Sequence, residues 1–150
     1  MNKIASFKVN HLTLQPGIYI SRSDGNITTY DIRLKKPNNG DYLNIAAMHT
    51  VEHIVATFVR NSDFSDSIIY FGPMGCRTGF YLLVRDINPA DVIHLIIDAF
   101  SFLANFNDVI PGTTAIECGN YLEHNLDIAK MDAKKFLDVI NNYTVDELKY

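Results

Sequence analysis

Residues 43–60 read LNIAAMHTVEHIVATFVR, and how this run folds decides how the rest of the chain is arranged around it. Ile45, Met48, Val51, Val55, Phe58 and Val59 recur at helical spacing, which predicts a helix with one apolar stripe. HTVEH at 49–53 sets two imidazoles and a carboxylate into that helix. Residues four apart on a helix differ by about 40° and about 6 Å of rise, so His49 and His53 project side by side and can grip one ion. Glu52 is angled off the pair, placed to reach a bound water or a substrate without being a ligand. The order is H-x-x-E-H, the inverted zincin arrangement. The plain alternative is two unrelated histidines on a buried helix, and the pattern alone names no third ligand.

Outward from this helix the period changes. PGIYISR after Pro16 reads as a strand, SDGN as its turn, and ITTYDIRLKK as the hairpin partner. In that partner Tyr30, Ile32 and Leu34 alternate with Asp31 and Arg33, so one face is expected in the core and the other, with Tyr19 or its neighbours, uncovered. Beyond the helix, SIIYFG and FYLLVR are expected to pair around the tight turn PMGCRTG. NPADVIHLIIDAFSFLANF is a second helix, with Asn88 as N-cap and Pro89 at its first position. A short strand is expected within 113–117, a third helix over 125–142, and TVDE at 144–147 has capping-box spacing. The sum is an α+β domain: a two-layer sandwich of a small, mostly antiparallel sheet with helices packed on one face. The bare face makes a dimer plausible.

At 150 residues the chain is expected to be one domain over 1–150. A hydrophobic share of 47% and a charged share of 20% mark it as globular. The net charge of −4 comes with no basic stripe, which argues against nucleic acid and a membrane surface. The N-terminus lacks the apolar core of a signal peptide, and the most apolar run is broken by His94 and Asp98. A soluble, cytoplasmic protein is therefore expected. In that compartment Cys76 and Cys118 are expected to stay unpaired, so each needs its own explanation. Cys118, in IECGN, is a candidate third ligand, its alternative being a small buried hydrophobe. Two neutral imidazoles and a thiolate leave a divalent ion with net positive charge and an open fourth position, the composition of a catalytic site. Cys76, in GPMGC, is presented at a turn, either as filler or as a reactive thiol that the neighbouring Arg77 would favour. His94 and His124 read as surface, packing or hydrogen-bonding residues.

Taken in order and spacing, HTVEH, GPMGCRTGFYL and ECGNYLEHNL, with SFKVNH and YDIRLKKPN upstream, resemble the S-ribosylhomocysteine lyase (LuxS) family, which makes the precursor of autoinducer-2. The resemblance implies a LuxS/metallopeptidase-like fold and a homodimer with two sites at the subunit interface. It implies one divalent metal per subunit, iron(II) natively and zinc in isolated protein, held by His49, His53 and Cys118. Glu52 and Cys76 match the family's acid/base groups. Ser6, His11 and Arg33 match residues that hold the ribosyl part of the substrate; Phe7 and Arg60 match residues that reach over from the partner subunit. The chain departs from the pattern at Tyr70, Phe71 and Gly72, where some members carry Asp-Ile before the serine of SPMGC, and at Arg77, where many have glutamine.

The implied chemistry needs these groups. A thioether leaves by β-elimination only when a carbonyl two carbons away stabilises the carbanion. The sugar's carbonyl starts at the wrong end and must migrate inward, each step taking a proton from one carbon and giving it to the next. That calls for a Lewis acid on the sugar oxygens and for proton carriers on both sides of the substrate. Two other readings fit the same motif. An inverzincin-type zinc metallopeptidase would use Glu52 to activate water and needs a carboxylate third ligand, Glu117 or Glu123. A non-catalytic metal-binding domain needs a fourth protein ligand, His11 or Cys76.

Overall fold

A computed structural model describes residues Met1–Tyr150. After a single turn of 3-10 helix at Ala5–Phe7, the chain forms β1 (Gly17–Asp24) and β2 (Ile27–Arg33). Helix α1 (Ile45–Arg60) leads to β3 (Ile68–Pro73) and β4 (Gly79–Arg85). Helices α2 (Pro89–Ala104) and α3 (Leu126–Ile140) follow, with a closing 3-10 turn at Val145–Leu148. The four strands form one antiparallel sheet in the order β1-β2-β4-β3. The two hairpins therefore join through β2 and β4, with Ile32 opposite Phe80 and Tyr30 opposite Leu82. α1 packs on β3, α3 on β1, and the three helices pack on one another.

Local chemistry fixes the ends of these elements. Each long helix is started by an asparagine whose side chain accepts a backbone N–H: Asn44 from Ala47, Asn88 from Ala90, and Asn125 from Ile128. The expected capping box closes at the C-terminus, with the Glu147 carboxylate accepting from the Thr144 N–H at 2.8 Å. The expected apolar stripe of α1 is rotated: Ala47, Val51, Ile54, Val55 and Val59 are buried, whereas Ile45 lies at the exposed N-terminal turn. Ile18, Tyr30, Ile32, Phe80 and Leu82 from one sheet face join the helices' Val51, Ile54, Phe100 and Phe136 in a single buried cluster.

Two expectations are corrected. Residues 113–117 form turns rather than a strand, because Thr114 O accepts from both Glu117 N and Cys118 N and curls the chain instead of extending it. The sheet face carrying Asp31 and Arg33 is not bare at those residues, which are 1% and 2% exposed. The chain's own C-terminus covers them: Tyr150 stacks on Tyr19 with centroids 5.0 Å apart and donates its hydroxyl to Asp31 Oδ2 at 2.8 Å. No helix is long and apolar enough to cross a membrane.

Candidate metal centre

α1 and the 105–125 connection meet at His49, His53 and Cys118, whose ligand atoms all lie within 4.8 Å of one another. The two imidazoles are held by main-chain carbonyls from that connection. His49 Nδ1 lies 2.8 Å from Glu123 O, and His53 Nδ1 lies 2.7 Å from Pro111 O. A carbonyl can only accept, so each Nδ1 carries the proton and each Nε2 keeps its lone pair for a ligand role. Gly112, at φ +73°, lets the loop close onto His53; a Cβ there would stand 3.1 Å from the ring nitrogen. Cys118 Sγ lies 3.4 Å from His49 Nε2. Nitrogen and sulfur ligands at tetrahedral angles around a zinc-sized ion stand roughly 3.5 Å apart, so the donor set fits such an ion. The Asn120 N–H points at the sulfur from 3.4 Å.

A third imidazole braces this pair. His124 stacks on His49 at 4.1 Å and meets His53 edge-on at 4.9 Å. The single Thr50 hydroxyl proton goes to Ala46 O, so its oxygen accepts from Asn125 N and from His124 Nδ1. Burial first, then the neighbouring His49 and His53, push the His124 pKa down to about 4, which keeps the ring neutral. His124 is therefore the packing and hydrogen-bonding residue the sequence suggests. The contribution of Thr50, fully buried on α1, is visible only in the fold, because a threonine in an apolar stripe carries no signal.

The cleft around the triad has a volume of about 540 Å³ and is lined also by Glu52, Arg60, Tyr70, Phe71 and Glu117. Glu52 and Arg60 thus share it with the candidate ligands. Glu117 accepts from the Thr114 hydroxyl at 2.6 Å, and the Glu123 carboxylate accepts from the Asn120 side chain. Neither carboxylate belongs to the group of three, nor do His11 and Cys76. The donor sets that the peptidase and closed-site readings require are therefore not assembled.

Cys76, Arg33, Ser6, Phe7 and His11 do not line this cleft. Cys76 is unpaired and exposed at the β3–β4 turn, with Arg33 Nη1 3.8 Å and Thr78 Oγ1 3.1 Å from its sulfur. Arg33 is anchored by Thr78 Oγ1 at 2.6 Å and Asp31 Oδ2 at 2.5 Å. Burial works against the guanidinium charge, but the bond and attraction to Asp31 outweigh it, so its pKa lies above the ordinary value. The cation expected beside Cys76 is therefore Arg33 rather than Arg77, whose guanidinium turns away over the Tyr42 ring at 5.8 Å. Ser6 and Phe7 belong to the first 3-10 turn, Phe7 being 70% exposed, and His11 Nδ1 pairs with Val9 O at 2.9 Å.

A family model described as S-Ribosylhomocysteinase (LuxS) matches residues 4–146. The chain belongs to the LuxS family. A LuxS relative from Finegoldia magna, named S-ribosylhomocysteine lyase, is 51% identical over 155 residues, covering 100% of this chain and 99% of its own length. Relatives of the same name from Clostridium acetobutylicum and Borreliella burgdorferi are each 49% identical over 156 residues, with the same coverage. Membership of LuxS extends over both chemical groups, from the Cys76–Arg33 network to the triad.

Proposed function

We propose that this chain is a metal-dependent carbon–sulfur lyase that cleaves the thioether of S-ribosylhomocysteine. The products are homocysteine and 4,5-dihydroxypentane-2,3-dione, the autoinducer-2 precursor, and the reaction is a carbonyl migration followed by β-elimination. The observation that carries the reading is the triad of His49, His53 and Cys118, with both imidazoles oriented by carbonyls so that Nε2 is free. A divalent ion held there, iron(II) in the cell with zinc accepted in its place, would supply Lewis acidity to the sugar's carbonyl and adjacent hydroxyl. Glu52, in the same cleft, takes and returns protons on one side of the sugar, and Cys76 does so on the other. Arg33 holds a positive charge against the Cys76 sulfur. Ser6, His11 and Arg33 hold the ribosyl part, and Phe7 completes the site from a second copy, whereas Arg60, matched by resemblance to a partner residue, lines the cleft of its own chain.

The enzyme works as a cytoplasmic homodimer with sites at the interface. Support for two copies comes from the apolar side chains left bare near the functional segments. Phe7 and Leu12 at the N-terminus are 70% and 77% exposed, and Ile116 and Leu122 beside Cys118 are 95% and 79% exposed. Phe7 does not line the cleft of its own chain, which fits a site that a second copy completes. The deciding experiment is anaerobic purification with metal analysis, paired with thiol release from S-ribosylhomocysteine. One metal per chain with homocysteine release is expected; stoichiometric metal with no thiol release would overturn the reaction.

A further inference from the structure

We infer that Tyr150 is a positioning residue for Cys76: its hydroxyl holds the Asp31 carboxylate in a one-bond contact with Arg33, which leaves the other guanidinium edge facing the Cys76 sulfur. The inference rests on the lyase reading for the role of Cys76 as a proton carrier, and adds the device that aims its cation. The sheet builds the setting. Asp31 on β2 has Tyr19 of β1 and Tyr81 of β4 as its cross-strand partners, so the carboxylate stands between two aromatic neighbours on one face. Tyr150 covers it, with its ring stacked on Tyr19 at an interplanar angle of 13°. The segment that carries Tyr150 is fastened to the body of the fold. The Tyr143 hydroxyl donates to Ile18 O on β1 at 2.8 Å, and Leu148 is buried in the core cluster.

The pairing of Asp31 with Arg33 departs from the common form. An arginine and a carboxylate frequently meet through two parallel N–H···O bonds. Here Arg33 Nη2 reaches Asp31 Oδ2 alone, and the two atoms that a second bond would use, Asp31 Oδ1 and Arg33 Nε, are buried without partners. Each orphan costs free energy, so something holds the pair back from the two-bond form. Two contacts do so. The Tyr150 hydroxyl donates to the same Oδ2 at 2.8 Å, and Thr78 Oγ1 accepts from Arg33 Nη1 at 2.6 Å. That Nη1 lies 3.8 Å from Cys76 Sγ. Arg33 and Tyr150 are the only side chains bonded to Asp31. Burial first, then the Asp31 charge, push the Tyr150 pKa above the ordinary tyrosine value, so the hydroxyl keeps its proton and remains a donor. Without that donor the carboxylate is free to turn onto Nε, and a guanidinium drawn into the two-bond form carries Nη1 away from the sulfur.

The test is Cys76 alkylation by iodoacetamide in the metal-loaded enzyme at neutral pH, located by mass spectrometry, alongside steady-state thiol release. Tyr150→Phe keeps the stack on Tyr19 and deletes only the hydroxyl. It is expected to slow Cys76 alkylation roughly fivefold, the size of one exposed charge contact, and to lower kcat by a similar factor with KM changed less than about twofold. Added to Asp31→Asn, the same substitution should change the alkylation rate less than about twofold, because the hydroxyl acts through that carboxylate. Thermal unfolding and metal content identify misfolded protein, and Tyr150→Phe alone remains decisive if Asp31→Asn fails to fold. Unchanged alkylation in Tyr150→Phe overturns the positioning role, whether or not thermal stability falls, since the hydroxyl then serves the fold alone. An equal loss in both backgrounds overturns the route through Asp31. Absence of thiol release from the unsubstituted enzyme overturns the reaction instead, while alkylation still reads whether Tyr150 acts on Cys76.

Discussion

The triad and the Arg33 network each hold polar side chains still, by opposite means. His49 and His53 are fixed through Nδ1 by main-chain carbonyls, and His124 is braced by a threonine. Each ring is held by one nitrogen, which leaves Nε2 available to an ion. Arg33 is a permanent charge, 2% exposed, fixed by a carboxylate that is itself 1% exposed. Taking two ions out of water costs several kcal/mol each before their attraction is counted, so a buried pair of this kind is poor evidence for stability. The arrangement is also incomplete, because Asp31 Oδ1 and Arg33 Nε are buried without partners. A fold that needed only stability would do as well with apolar residues there. The contrast teaches that the first site is arranged to receive a charge and the second to present one, at the sulfur of Cys76.

The largest effect that could break this contrast is on turnover. Cys118→Ala and Cys76→Ala should each lower kcat by about a thousandfold or more, but only Cys118→Ala should lose bound metal in elemental analysis. Loss of metal in both would merge the two sites into one. Next, Asp31→Ala leaves the Arg33 charge buried without its carboxylate and should destabilise the fold by about 3–5 kcal/mol in urea unfolding, while metal binding at the triad persists. A smaller effect sharpens the neutral side. Thr50→Val strands the His124 Nδ1–H and the Asn125 N–H and should cost about 2–3 kcal/mol, with metal affinity weakened roughly tenfold by the loosened His49; unchanged affinity would make the brace purely structural.

The smallest effect is on pH dependence. Tyr143 is raised to about 12, chiefly by burial, and Lys35 is raised because its bonds to Asp132 and Asp41 outweigh burial. Both groups keep their proton longer folded than unfolded: the Tyr143 contribution is intact below about 10 and is lost as pH rises through about 12, and that of Lys35 is lost above its ordinary lysine range. Tyr143→Phe should flatten that alkaline decline, which thermal unfolding across the range would read.

Much of this was legible in the chain because it is local. The spacing of His49 and His53 on one helical run, the Asn88 cap, the hairpin turns and the alternation of Tyr30 and Ile32 all depend on neighbours within a few residues. What was misread depended on distant chain. Asp31 and Arg33 alternate out of the core in sequence, but the C-terminal Tyr150 folds back 119 residues to cover them. Arg77 adjoins Cys76 in sequence, but the sulfur's guanidinium comes from Arg33, 43 residues away. Turn bonds at Thr114 displaced the strand expected at 113–117.

By itself the sequence determined the helix that carries the paired imidazoles, because a period of 3.6 residues fixes which side chains stand together. Only the tertiary structure decided which sulfur meets them, which carbonyls set their tautomers, and which cation faces the other sulfur. Those choices depend on loops and a terminus brought together by burial of the core, and burial acts on distance in space rather than on position along the chain.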